Sequence, residues 1–211
     1  MVTSKVDICN LALDLLGGAT VVDIDTPTDA TEGLLSRWYD QSREQALREH
    51  PWKFATKRAI LAASNVDPAF EYSSAFPVPS DFLRLLDVQD ADGATLINDY
   101  QLENNDGVLS VLSRNSATSL RIRYVYNITD ISKFSPDFVM YLAMTLALSL
   151  AYKVTQSNTS VKRIQSIRAD LGKLSKAVSG QERQPTRRYR SMNTRVRRQG
   201  SYKNSHLITF D

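Results

Sequence analysis

The run from Leu34 to Ala59, LLSRWYDQSREQALREHPWKFATKRA, constrains the fold more than any other part of this chain. A charge-laced helical pattern is cut by a proline and followed at once by two aromatic residues. Leu34, Leu35, Trp38, Ala46 and Leu47 recur at helical spacing and make one apolar stripe. Arg37, Asp40, Arg43, Glu44, Arg48 and Glu49 cover the remainder, with Glu44 and Arg48 spaced for an i,i+4 pair. Thr26 and Pro27 suit the start of this helix, a hydroxyl to cap free N–H groups and a proline for the first turn. Pro51 disfavours the helical region for His50 and offers no N–H, so the helix should stop there. Trp52 and Phe54 alternate with Lys53 and Ala55, which predicts a strand leaving the helix.

Three further helices follow from pattern. Ser4 to Leu16 carries Val6, Cys9, Leu13 and Leu16 on one side and is closed by Gly17-Gly18. Ser135-Pro136-Asp137 is an N-cap, a first-turn proline and an acid in helix-starting order, opening a helix over 136–155. The last runs over 160–178, with Val161, Ile164, Ile167, Leu171, Leu174 and Val178 as its packing seam. Between residues 52 and 130 the pattern changes to short runs rich in Val, Ile, Leu and Tyr, broken by Gly, Pro, Asn and Asp. Leu120–Tyr126 alternates most clearly. Asp106-Gly107, between Tyr100–Glu103 and Val108–Leu112, predicts a hairpin turn, and Asp92-Gly93 is a second candidate. The fold class is therefore α+β: a helical bundle discontinuous in sequence, an inserted antiparallel β subdomain, and an extended C-terminal arm over 183–211.

Charge separates that arm from the body. The formal net charge is +3, yet Arg183 to Lys203 holds seven arginines, one lysine and no acid. Removing these eight from the 26 Lys and Arg leaves 18 in residues 1–182, against 22 of the 23 acids, a balance of about −4. After Gly180 the apolar periodicity vanishes, and such a segment has too little to bury to offset the entropy of ordering on its own. Leu207–Phe210 restores a short β-prone run. Cys9 is the single cysteine, which excludes an intramolecular disulfide. MVTSKVDICNLAL lacks the basic segment and long apolar run of a secretory signal. Phe138 to Val154 is apolar on nearly all sides but shorter than the roughly 20 residues a bilayer needs, so it is predicted to be a bundle centre and not a membrane span.

REHPWKFATKRA, preceded by WYDQSREQAL and by LALDLLGG, resembles the tail tubular protein A family, the head-to-tail adaptors of short-tailed bacteriophages. The similarity continues through YSSAFPVPSDFLRLLDV (Tyr72–Val88) and LRIRYVYNITDISKFSPDFVMYLA (Leu120–Ala143). It covers roughly residues 3–178, is poor between Asp87 and Asn115, and thins beyond Val178. The resemblance implies an adaptor domain over residues 1–182 and a dodecameric homo-oligomeric ring in the virion neck. That ring would join the portal protein to the tail nozzle protein, with tail fibres as further neighbours, and DNA would pass through its lumen. Synthesis would take place in the bacterial host cytoplasm.

Catalytic chemistry has little to rest on. There is no glycine-rich phosphate loop and no Cys or His cluster at metal spacing, so no cofactor and no metal are expected and the chain is read as a non-enzyme. His50 reads as a helix-end residue and Cys9 as a small buried side chain. A cell-wall glycosidase would need paired carboxylates across a cleft; Glu44 with Glu49 and Asp81 with Asp87 are the candidates. They read more simply as solvated surface acids. The residues expected to bind a partner are Arg187, Arg188, Tyr189, Arg190, Arg195, Arg197, Arg198, Tyr202, Leu207, Ile208 and Phe210 of the arm. Arginine and tyrosine interleaved in this way suit a nucleic-acid-binding arm, with salt-sensitive, sequence-blind affinity. Arginine also grips carboxylates. Tight DNA binding would retard passage through a conduit, so docking on the portal is the favoured reading, with Leu207–Phe210 adding a strand to an exposed edge.

Overall fold

The computed structural model describes residues 4–93, 99–114 and 118–181. Helix α1 (Lys5–Leu16) begins at Ser4, whose hydroxyl accepts from the Asp7 amide while the Asp7 carboxylate accepts from the Ser4 amide, a reciprocal capping box. It ends at Gly17, whose φ of 70° is left-handed, as the Gly-Gly pair predicts. Helix α2 (Ala30–Glu49) starts later than Thr26 and Pro27 suggested. Asp29 is the N-cap and forms a capping box with Glu32, and this reciprocal pair satisfies two helix-end donors where Thr26 could satisfy one.

After α2 the chain does not enter a strand directly. Lys53–Ala55 forms a 3-10 turn, and strand β1 begins at Thr56 (Thr56–Ala62). The turn carries the indole of Trp52 back over α2, where its Nε1 donates to the Ala46 carbonyl at 3.0 Å. Strands β2 (Ser74–Pro77), β3 (Phe82–Gln89), β4 (Tyr100–Asn105), β5 (Val108–Ser113) and β6 (Ser119–Tyr126) follow. They form two antiparallel three-stranded sheets, ordered β1-β6-β3 and β2-β5-β4. Asp106 (φ 49°) and Gly107 (φ 81°) close the β4–β5 hairpin with both turn residues left-handed. Asp92-Gly93 does lie in a turn, with Gly93 at φ 91°, but β3 and β4 belong to different sheets and it closes no hairpin.

Helices α3 (Pro136–Thr155) and α4 (Asn158–Gln181) complete the described chain, α3 being capped by Ser135 with Pro136 in its first turn. Both α1 and α2 pack on α3. Phe138, Leu142, Leu146 and Leu150 of α3 are fully buried with Ile8, Leu13, Leu35 and Leu47. At 20 residues α3 is long and apolar enough to cross a bilayer, so its length does not separate the two readings as expected. Its burial does: it is the centre of the helical core. A second core lies on the β subdomain, where Leu61, Phe76, Val88, Val111, Leu120, Ile122 and Tyr124 meet. Strand β6 serves both, because Val125 points the other way and joins the helical core. The architecture is thus α+β, with one compact unit spanning Met1–Ser179.

The predicted seam of α4 is corrected by the structure. Ile164 is buried, but Ile167, Leu174 and Val178 are 37%, 63% and 45% exposed. Beyond Ile164 the helix turns Arg168, Gly172 and Ser175 inward instead. A Cβ at Gly172 would lie 3.3 Å from the Tyr141 ring, so the glycine permits the close approach.

Candidate interaction surfaces

The eleven arm residues expected to bind a partner, Arg187 to Phe210, lie outside the described residues. Among the described residues, three arrangements of charge matter, two internal and one open.

The first internal one joins three helices at the end of α2. Arg168 Nη2 donates to both carboxylate oxygens of Glu49 at 2.6 Å, and Arg168 Nε donates to Thr145 Oγ1 at 3.0 Å. The guanidinium stands 4.9 Å from the centre of the Tyr141 ring, whose hydroxyl donates to Glu49 as well. Burial opposes ionisation of Glu49, but the hydrogen bonds from Tyr141 and Arg168 outweigh it and hold the carboxyl below its ordinary range. Burial first, then the bond to Glu49, pushes the Tyr141 phenol up to about 12. Glu49 is therefore not the solvated acid its sequence context suggested; it is the anchor that sets the rotation of α4.

Arg43 is a second correction, since its side chain is 4% exposed instead of solvated. Its Nη2 donates to Asn127 Oδ1 at 3.0 Å, and Asn127 Nδ2 donates to Glu44 at 2.9 Å. These contacts bind α2 to the end of β6, more than 80 residues away in sequence. Glu44 thus faces Asn127 and Arg43. Asp81 accepts from Lys57 at 2.7 Å and from Tyr124 at 3.0 Å. Desolvation raises its pKa, but those two bonds prevail and lower it. The general acid of a glycosidase requires the opposite shift, upward, while its partner carboxylate stays ionised. Each of the four candidate carboxylates is held by a base or amide of this chain, Asp87 by Arg123 at 3.9 Å. Among the described residues no group of three or more His, Cys, Asp and Glu could hold a metal ion.

The open arrangement is one face of the β1-β6-β3 sheet. Cross-strand register places Arg58 beside Arg123 and Asp87, and Ile60 beside Arg121 and Gln89. With Ala59 and Ile122 these residues line a concavity of about 590 Å³. Arg58 and Arg121 are exposed, and Ile60 is 71% exposed. The one ion pair on this face among the described residues is Arg123–Asp87, and Arg123 Nε is buried without a hydrogen-bond partner. Sequence reading missed this face. Its signal is the alternation of Arg121 and Arg123 with Leu120, Ile122 and Tyr124 in LRIRYVY.

Neither a protein-family model nor a curated protein sequence matches the chain. Among solved structures it is similar to a chain from the neck of an empty gene transfer agent (GTA) particle computed with C6 symmetry. That match has 14% identity and a TM-score of 0.23, over 70% of this chain and 79% of the other. A chain from the neck of the native GTA particle, computed with C12 symmetry, is matched at 15% identity and a TM-score of 0.24. It covers 77% of this chain and 92% of that one. Scores this low establish no common fold.

Proposed function

We propose that this chain is a structural subunit of a phage neck, a head-to-tail adaptor that forms a dodecameric ring between the portal and the tail nozzle. The observation that carries this reading is where the family-like segments fall. LALDLLGG closes α1, REHPWKF makes the corner between α2 and β1, YSSAFPVPSDFLRLLDV makes β2 and β3, and LRIRYVYNITDISKFSPDFVMYLA runs from β6 into α3. They are the joints of a single α+β unit, so the resemblance follows the architecture and not a shared surface patch. Held carboxylates with lowered pKa values favour a structural role over a hydrolytic one. The helical core would stand in the wall of a DNA channel, and the negative balance of residues 1–182 would keep that wall from gripping its cargo. The arm, through Arg187–Arg198 and Leu207–Phe210, would dock on the portal.

Electron microscopy of the chain mixed with the portal of its phage tests the reading. A ring stacked coaxially on the portal is the expected result. A monomer that ignores the portal but shifts with nucleic acid, with a steep salt slope, would replace this reading with that of a nucleic-acid-binding protein.

A further inference from the structure

The arginine face has an apolar centre in Ile60 and an excess of positive charge. Its complement is a surface loop of the same chain. Residues 21–29, VVDIDTPTD, carry Asp23, Asp25 and Asp29 and no base. Val22 is 89% exposed, so the loop presents an apolar tip beside its carboxylates. The loop is held in shape from below: Asn10 Nδ2 donates to the Val21 carbonyl at 3.0 Å, and the Val21 amide donates to Asn10 Oδ1 at 2.8 Å. Ile24 is buried, which fixes Val22 and Asp23 on the outer side. Lys5 stands 3.6 Å from Asp25, which leaves the loop with an excess of negative charge. Another exposed loop with an apolar tip, around Phe70, carries fewer acids, Asp67 and Glu71, and Glu71 is held by Arg114 at 2.7 Å.

Loop and face do not cover one another within the subunit: Val22 and Ile60 are both exposed, so each surface is open to a second molecule. We infer that the Val21–Asp29 loop of one copy of this chain docks on the Arg58–Arg121–Arg123 face of a second copy. Val22 seats against Ile60, and the Asp23 and Asp25 carboxylates reach the guanidiniums. Two different, complementary surfaces on one subunit make a head-to-tail contact, which closes into a ring when the rotation between copies permits. This inference rests on the ring reading above and assigns the surfaces that would build the ring.

A disulfide trap tests it. Val22→Cys and Ile60→Cys in one full-length chain should give a ladder of covalent oligomers on mild oxidation, alone or on the portal. Either substitution alone should stop at the dimer. Cys9 is fully buried and does not compete. Adding Arg58→Glu with Arg121→Glu should cut the ladder at least tenfold, and adding Asp25→Lys to that chain should restore it. All three positions are exposed, so thermal melting of the variants should match that of the parent and separates lost contact from lost fold. A ladder that ignores the charge reversals, or no ladder from the doubly substituted chain, overturns the pairing. If rings still form on the portal in that case, the neck reading stands and only these surfaces are wrong. If neither ladder nor ring forms, both fall.

Discussion

Arg168 and Glu49 couple the last helix to the rest of the fold, and neither stood out in the sequence as a pair 119 residues apart. Their side chains are 17% and 31% exposed, between the surface case worth up to about 1 kcal/mol and the buried case in which loss of one partner costs about 3–5 kcal/mol. Arg168→Met should therefore destabilise by about 2 kcal/mol, measured by urea unfolding, and a double-mutant cycle with Glu49→Gln should show strong coupling. The pH dependence follows from the direction of the shift. The folded-state pKa of Glu49 lies below its unfolded value of 4.5, so its stabilisation is complete above that value and is lost as pH falls through the folded pKa. Melting between pH 6 and 3 should accordingly fall less steeply in Glu49→Gln than in the parent. Trp52 is the second residue on which much depends. It meets Phe138 edge-on with ring centres 5.1 Å apart, and Phe54 and Phe134 also meet Phe138 edge-on. Trp52→Ala should cost about 3–5 kcal/mol by cavity formation, while Trp52→Phe should recover much of that loss.

Among elements, α4 is held least. Ile164 and Val161 join the helical core, but Ile167, Leu174 and Val178 face outward and one polar clamp supplies much of the rest. Hydrogen exchange should show α4 amides opening at a lower free energy than those of α3, and Arg168→Met should widen the gap. Equal protection in the two helices would contradict this ranking. The β4–β5 hairpin is set by Asp106-Gly107, both with positive φ, so Gly107→Ala should cost about 1 kcal/mol with no loss of contacts. The same logic explains why α2 begins at Asp29. A capping box at Asp29 and Glu32 outweighs a hydroxyl followed by proline, and Asp29→Ala should cost about 1 kcal/mol of stability.

For the assembled protein, the decisive quantity is association. A chain ending at Gly180 keeps the compact unit and lacks the arm. If the arm docks on the portal, this truncated chain should retain the parent's thermal stability and lose portal binding by at least tenfold. Unchanged portal binding would remove the arm from the interface. Raising salt should weaken self-association built on the Arg58–Arg121–Arg123 face, because exposed charges are screened beyond about 8–10 Å at ordinary ionic strength.

Local chemistry made the helices legible: Ser4, Ser135 and Pro136 at starts, Gly17 and Pro51 at stops, and Asp106-Gly107 at a turn act within a few residues of themselves. The α+β class followed from the change in periodicity between residues 52 and 130. Four other features were decided by the tertiary structure alone. They are the inward turn of Arg168 in place of Ile167, the burial of Arg43, the role of Trp52 as a corner instead of a strand residue, and the open arginine face. Each depends on a partner distant in the chain: Glu49 for Arg168, Asn127 for Arg43, Phe138 for Trp52, and the three-strand register for Arg58, Arg121 and Arg123. Apolar periodicity records which residues avoid water, but a buried charge is tolerated only where a specific opposite group meets it, and that meeting is a property of the packed chain.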